Sequence, residues 1–117
     1  MATLFDATAI KNMTLRNRII RSATWEGMCE KDGQPTRKLA ECYAALAKGG
    51  VGLIISGYTF VRPNGKQMPG KMGIHTDSFA KAFNTLTETV HANGGAIAIQ
   101  LVHAGGQANP EISGHPA

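Results

Sequence analysis

No apolar stretch in the sequence approaches the roughly 18 residues that a membrane-spanning helix requires. The opening MATLFDATAI lacks the basic-then-apolar layout of a secretory leader. A cytoplasmic location without a membrane partner is therefore expected. Cysteine is scarce: Cys29 and Cys42 are the only two, and they fit neither a CxxC pair nor a zinc spacing. In a reducing compartment both stay thiols. Cys42 falls on a helical apolar stripe and reads as core, whereas Cys29 follows a strand end and is the one a site could use. Four histidines are present, but no pair has metal-ligand spacing, and His75 and His115 fall in loop sequence; no metal site is expected. Like charges do not cluster. The 12 Lys and Arg against 8 Asp and Glu leave a net charge of +4, which reads as solubility and not as nucleic-acid binding. GxSxG, GxxxxGK[ST] and HExxH are all missing.

What is present describes one turn-rich α/β domain. The 117 residues are 43% apolar and 17% charged, enough for a packed core, and the 14 glycines show no triplet period. AIKNMTLRNR, residues 9–18, alternates Ile10 and Leu15 with polar residues and reads as a hairpin. Residues 19–22 form a short strand, followed by a loop punctuated by Gly27, Asp32-Gly33 and Pro35. Thr36 is placed to cap a helix carrying Leu39, Ala40, Tyr43, Leu46 and Ala47 on one face, with Gly49 as its left-handed exit. VGLIIS, residues 51–56, is apolar throughout, as a strand in a buried parallel sheet must be. A Gly- and Pro-rich loop, residues 57–76, leads to a second helix capped by Asp77 or Thr76. Its buried face is Phe79, Phe83, Leu86 and Val90, and Asn93-Gly94-Gly95 ends it. AIAIQL, residues 96–101, is the third strand, and residues 102–117 follow without a period.

Each strand-to-helix loop is long and each helix-to-strand turn short, so function is expected at the C-terminal ends of the strands. Three apolar strands and two helices do not close. With right-handed crossovers and sequential strand order both helices cover one face, and each Ile or Leu on the other forgoes about 1.5–3 kcal/mol of burial. A larger barrel of about 250 residues would cover that face. In that reading residues 19–101 supply the first three β/α units of a (β/α)8 barrel, and residues 102–117 open the next loop. Two rivals are a βαβαβ module that pairs with a second copy, and a small doubly wound nucleotide-binding domain with a helix on each face. Against the latter, the glycines of KGGVG precede a strand and cannot cradle a phosphate at a helix start.

Three strand ends carry candidate chemistry: Ser22 to Trp25, Ser56-Gly57-Tyr58, and Gln100 with His103. An amide within an apolar strand needs a partner, so Gln100 binds either neighbouring backbone or a ligand. Its paired donor and acceptor suit the edge of a heterocycle. Trp25 offers a flat apolar face to core or ligand. His103 reads as acid, ligand or loop residue.

LRNRIIRSAT, then GGVGLIISGYTFV with PNGK, then IAIQLVHAGGQA together resemble the Old Yellow Enzyme family of NADH:flavin oxidoreductases, in family order and spacing from Leu4 onward. The resemblance implies an FMN-binding barrel whose N-terminal end is plugged by residues 9–18. It implies hydride transfer from NADH or NADPH through flavin N5 to an activated alkene such as an enone. Ser22, Ala23, Thr24 and Trp25 would lie along the flavin, Tyr58 would touch it through its backbone, and Gln100 would hydrogen-bond its pyrimidine. His103, in the HAG motif, would stand near the substrate mouth. Trp25 replaces the Thr or Cys that often tunes the flavin in the family, and its indole N–H donates but cannot accept. Gly27 replaces a substrate-contacting Tyr. The carbonyl-binding pair, the Tyr donor, the flavin-binding Arg and the phosphate site all follow the third strand in the family, beyond residue 117. The chain alone is thus expected to be inactive, and to need the rest of a barrel or a second copy as partner.

Overall fold

The computed structural model describes residues 1–116. Strands β1 (Thr8–Ile10) and β2 (Met13–Leu15) form an antiparallel hairpin, with Thr8 opposite Leu15. The main sheet is parallel and comprises β3 (Ile20–Arg21), β4 (Leu53–Phe60), β5 (Met72–Gly73) and β6 (Ala96–Val102). One edge of β4 pairs first with β3, Ile20 opposite Leu53, and further along with β5, Thr59 opposite Met72. Its other edge pairs with β6. Helices α1 (Arg37–Lys48) and α2 (Ala80–Ala92) provide the crossovers, and a short α3 (Pro110–Ser113) lies after β6.

The first helix starts where its sequence says. Thr36 accepts from the Leu39 N–H and donates its own hydroxyl proton to the Met28 carbonyl. That ties the helix start to the preceding loop. The exit differs from expectation: Gly49 keeps a right-handed φ of −70°, and Gly50 takes the positive φ of +102°. The second helix differs at its start. Neither Thr76 nor Asp77 caps it through a side chain, because residues 77–79 wind a single 3-10 turn that runs straight into α2. Its buried face is Phe79, Phe83, Leu86 and Val90, as its spacing predicts.

These side chains join Leu39, Ala40, Tyr43, Ala47, Ile54 and Met72 in one core between the helices and the sheet, with Ile97 and Ile99 packed against it. The two helices pack on each other and on the same side of the sheet. A helix on each face, the mark of the doubly wound alternative, is thereby contradicted. The other face is open. Ile20 is 47% exposed and Gln100 is exposed at the end of β6. The radius of gyration is 15.3 Å, against about 13 Å for a compact domain of this length.

The hairpin is fastened to the bottom of this layer by two consecutive residues. Arg16 donates to the carbonyls of Asn93 (2.9 Å), Val51 (2.8 Å) and Ala47, at or just beyond the C-terminal ends of both helices, where the dipole favours a cation. Asn17 donates to Gly50 O at 2.6 Å and accepts from the Ile19 N–H. Arg16→Met should therefore lower the unfolding midpoint of the full protein, by an amount equivalent to about 1–2 kcal/mol. Thermal unfolding with and without the substitution checks this.

The strand over VGLIIS runs on to Phe60, and β5 within the following loop is an addition that its Gly- and Pro-rich sequence hides. Residues 102–116 likewise contain a 3-10 turn at Gly105–Gln107 and the four-residue α3. No helix among the described residues is long and apolar enough to cross a membrane.

Candidate functional site

The C-terminal ends of β3, β4 and β6 meet at one rim, and a bulge in β4 decides which side chains reach it. Ile55 pairs with Ala98, yet Tyr58 pairs with Gln100, so Ser56 and Gly57 together face one residue of β6. The bulge frees backbone groups, and each of those described here finds a partner. The Gln100 N–H donates to Ser56 Oγ at 3.1 Å, Ser56 Oγ lies 3.0 Å from the Gly57 carbonyl, and the Gly57 N–H donates to Tyr43 Oη at 3.2 Å. Thr59 Oγ1 also donates to the Gly57 carbonyl.

Tyr43 passes the contact onward. Its hydroxyl donates to Glu26 Oε1 at 2.8 Å, and Arg21 Nη1 donates to the same oxygen at 2.7 Å. Burial, with the Glu26 carboxylate adding to it, raises the Tyr43 pKa, while the Gly57 N–H opposes the rise; the phenol stays protonated and can donate. The chain Arg21–Glu26–Tyr43–Gly57 thus links the loop after β3 to the bulge in β4. No side chain fits at Gly57, where a Cβ would come within 2.6 Å of the Thr24 carbonyl and 2.7 Å of Glu26 Oε2.

Above this network, Ser22 and Thr24 are exposed, Ala23 is half-buried and Trp25 is 44% exposed. Tyr58 is half-buried, and its hydroxyl donates to the Gly65 carbonyl. Among the described residues no hydrogen bond engages the Gln100 carboxamide, although its backbone is held by Ser56. Tyr58 stands in register with Gln100 on β6, and the Trp25 and Tyr58 rings share a neighbour in Lys71. His103 is set apart from them in its bonding: Nδ1 accepts from the Gly105 N–H at 2.9 Å, and Nε2 lies 3.2 Å from Asn64 Oδ1. It braces two rim loops against each other.

Glu26, Tyr43 and Lys71 escaped the sequence reading as site residues, whereas Ser56 was singled out at its strand end. Lys71 lies beside the Trp25 and Tyr58 rings, at 4.8 and 4.7 Å from their centroids. Nothing local marked these three positions, since Tyr43 reads as core and Lys71 as loop; only the pairing of β5 with the end of β4 brings Lys71 to the rim. Cys29, the thiol a site could use, is pushed up to about 12, chiefly by burial, with Glu26 and Glu30 adding to the shift. It is a neutral packing group at physiological pH.

A parallel α/β layer with long loops and unengaged polar and aromatic groups at the C-terminal strand ends defines the class that binds ligands at that edge. The residues fit one side of a flat heterocycle: a donor–acceptor amide, a half-exposed indole and a tight backbone approach at Gly57. The chain belongs to the NADH:flavin oxidoreductase / NADH oxidase family, whose sequence model matches residues 3–117. It is 42% identical over 113 residues to the NADPH dehydrogenase of Bacillus subtilis (strain 168), covering 92% of this chain and 32% of that protein. It is 36% identical over 111 residues to the NADH oxidase of Thermoanaerobacter brockii, covering 94% of this chain and 17% of that protein. The crystal structure of the old yellow enzyme homologue from Zymomonas mobilis superposes with a TM-score of 0.90 at 34% identity, over 97% of this chain and 32% of that one. The chain thus spans a third or less of the length of these relatives.

Proposed function

We propose that these residues form the first three β/α units of an FMN-binding (β/α)8 barrel, preceded by its bottom hairpin, in a flavin-dependent NAD(P)H oxidoreductase. The open sheet face carries this reading: Gln100 presents an unengaged amide beside Trp25 and Tyr58, on the side that the helices leave bare. FMN, when bound, would supply the hydride chemistry that links NADH or NADPH to an activated alkene such as an enone.

The chain's own residues then divide the work. The Gln100 carboxamide would hold the flavin through the donor–acceptor edge of its pyrimidine ring. The backbone of Ser22, Ala23 and Thr24 and the Trp25 indole would help hold the flavin and exclude water from it. The bulge holds Tyr58 in the same row. His103 fixes the rim near the substrate mouth by joining the Asn64 loop to Gly105. The phosphate grip and the proton donor belong to segments outside these residues, so the remainder of the barrel is the partner that completes the site.

The test is the full protein's visible spectrum and its reduction by NADH and by NADPH. Bound flavin, bleached by one of them and reoxidised by an enone, is the expected result; a colourless, correctly folded protein overturns the reading. Gln100→Leu should weaken FMN binding about 10- to 100-fold, the equivalent of one or two lost hydrogen bonds at about 1–1.5 kcal/mol each. Fluorescence titration of the apoprotein with FMN measures it.

A further inference from the structure

We propose that the cavity between the loop after β3, the end of β4 and α3 is a phosphate-binding site, with Lys31, Lys66 and His75 as its donors. The inference goes beyond the flavin chemistry and does not rest on it.

The cavity has a volume of about 200 Å³, and Lys31, Asp32, Phe60, Lys66, His75 and Ser113 are among the residues that line it. Pockets for whole small molecules run to about 300–1,000 Å³, so this one suits a small ion or one group of a larger ligand. At about 30 Å³ for each water, an oxyanion fits with a few waters around it. None of the residues proposed to hold the flavin lines this cavity. It is nevertheless close to the rim. Gly65, next to Lys66, accepts the Tyr58 hydroxyl through its carbonyl, and a Cβ on Gly65 would come within 2.7 Å of the His103 ring.

Lys66 is the anchor. It is only 7% exposed, its Nζ lies 5.6 Å from the Phe60 centroid, and it donates to the Lys31 carbonyl. An ammonium carries three donors, and among the described residues no second acceptor and no ion pair engages this one. Burial lowers the Lys66 pKa; Asp32 opposes that shift and the Lys31 cation adds to it. The Asp32 carboxylate is itself engaged by Gln34, whose backbone N–H and side-chain amide donate to it at 3.0 and 3.4 Å. Two lysines beside one engaged aspartate leave an excess of positive charge at a largely covered place, where salt screens it little.

His75 supplies a neutral donor. Its ring is stacked on Phe60 at 5.2 Å and stands edge-on to Phe79 at 5.0 Å, and its Nδ1 is buried with no hydrogen-bond partner. A proton on Nδ1 would be a buried donor without an acceptor, which folded proteins avoid. In the neutral ring the proton therefore sits on Nε2 and is free for a ligand. Donors from three separate segments suit a tetrahedral anion, whose oxygens point in several directions. A planar carboxylate is better met by a planar fork, whereas lysine acts on phosphate as a point charge.

A free phosphate ion and a phosphomonoester on a larger molecule, such as the ribose phosphate that distinguishes NADPH from NADH, share this chemistry. The experiment uses the full, flavin-loaded protein and titrates it calorimetrically with inorganic phosphate at constant ionic strength. Wild type should bind phosphate and not acetate. Lys66→Met should weaken binding at least tenfold and Lys66→Arg should retain most of it. Lys31→Ala, at an exposed position that the fold does not need, should weaken it about three- to tenfold. Wild type that binds no phosphate overturns the proposal, as does phosphate binding unaltered in both Lys66→Met and Lys31→Ala. KM values then separate the sources. A rise of about tenfold for NADPH alone in Lys31→Ala, with inorganic phosphate competing against NADPH and not NADH, assigns the site to the cofactor's phosphate. Unchanged KM for both, with phosphate binding weakened, assigns it to the free ion. A colourless wild type whose phosphate binding depends on Lys31 upholds this site and sinks the proposed function; a yellow one that binds no phosphate does the reverse.

Discussion

Glu26→Ala is expected to destabilise the full protein by about 3 kcal/mol and to weaken flavin retention along with it. Glu26 Oε1 receives hydrogen bonds from both Arg21, at 2.7 Å, and Tyr43, at 2.8 Å, and the Glu26 side chain is 9% exposed. Removing it leaves a mostly covered guanidinium without its anion and a buried phenol without its acceptor. Breaking one side of a buried pair costs about 3–5 kcal/mol when fully sealed; the Arg21 side chain, at 19% exposure, keeps some solvation and places the expectation at the lower end. Glu26→Gln keeps the shape and should cost about half as much. Thermal unfolding and flavin release on dilution check both. Unfolding and flavin release both unchanged in Glu26→Ala would show that the network neither stabilises the fold nor holds the rim.

Gly33→Ala is expected to cost about 3–4 kcal/mol, for two independent reasons. Gly33 has a φ of +100°, which strains any residue with a Cβ by about 1–3 kcal/mol. The space is also taken: a Cβ would stand 2.7 Å from the Phe60 ring and 2.8 Å from the Gly73 nitrogen, and overpacking adds about 1–3 kcal/mol. Gly33 also accepts the Gly73 N–H through its carbonyl at 2.8 Å, so the substitution pushes apart the loop after β3 and the strand β5. That loop carries Trp25, and β5 carries the approach of Lys71. Denaturant unfolding measures the loss. Gly106→Ala, where a Cβ would meet nothing within 4 Å, is the control and should change stability by less than about 0.5 kcal/mol.

Both predictions concern the loop between β3 and α1, and the reason is mechanical. Strand β3 is two residues long and cannot by itself position fifteen residues of loop. The loop is held at three separated points: Glu26 against Tyr43, Thr36 against Met28, and Gly33 against Gly73. Such distributed anchoring lets an irregular segment present a preorganised surface. The proposed flavin wall of Ser22 to Trp25 depends on it.

The elements that local chemistry governs were legible in the sequence. The Thr36 cap, the buried stripe of Phe79, Phe83, Leu86 and Val90, and the apolar strands at VGLIIS and AIAIQL report forces acting within one or two turns or along one strand. The polar Gln100 stood out because an amide in an apolar run is costly wherever it lies. Strand β5 was not legible, since two residues in a glycine-rich loop become a strand only when the end of β4 offers them an edge. The role of LRNR was not legible either: Arg16 acts on carbonyls 31, 35 and 77 positions away.

The sequence alone thus determined the hairpin, the helix–strand alternation and the bare sheet face. The tertiary structure alone decided which side chains share the rim. Counted along an unbroken strand, Tyr58 falls on the same side as Ile54, toward the helices. The bulge at Ser56 and Gly57 inserts one residue and reverses that parity, bringing Tyr58 into the row of Gln100 and Lys71. Periodicity cannot reveal such a reversal, because it is set by a phenol on α1, a carboxylate in a loop and a serine hydroxyl that together satisfy the backbone groups the bulge sets free.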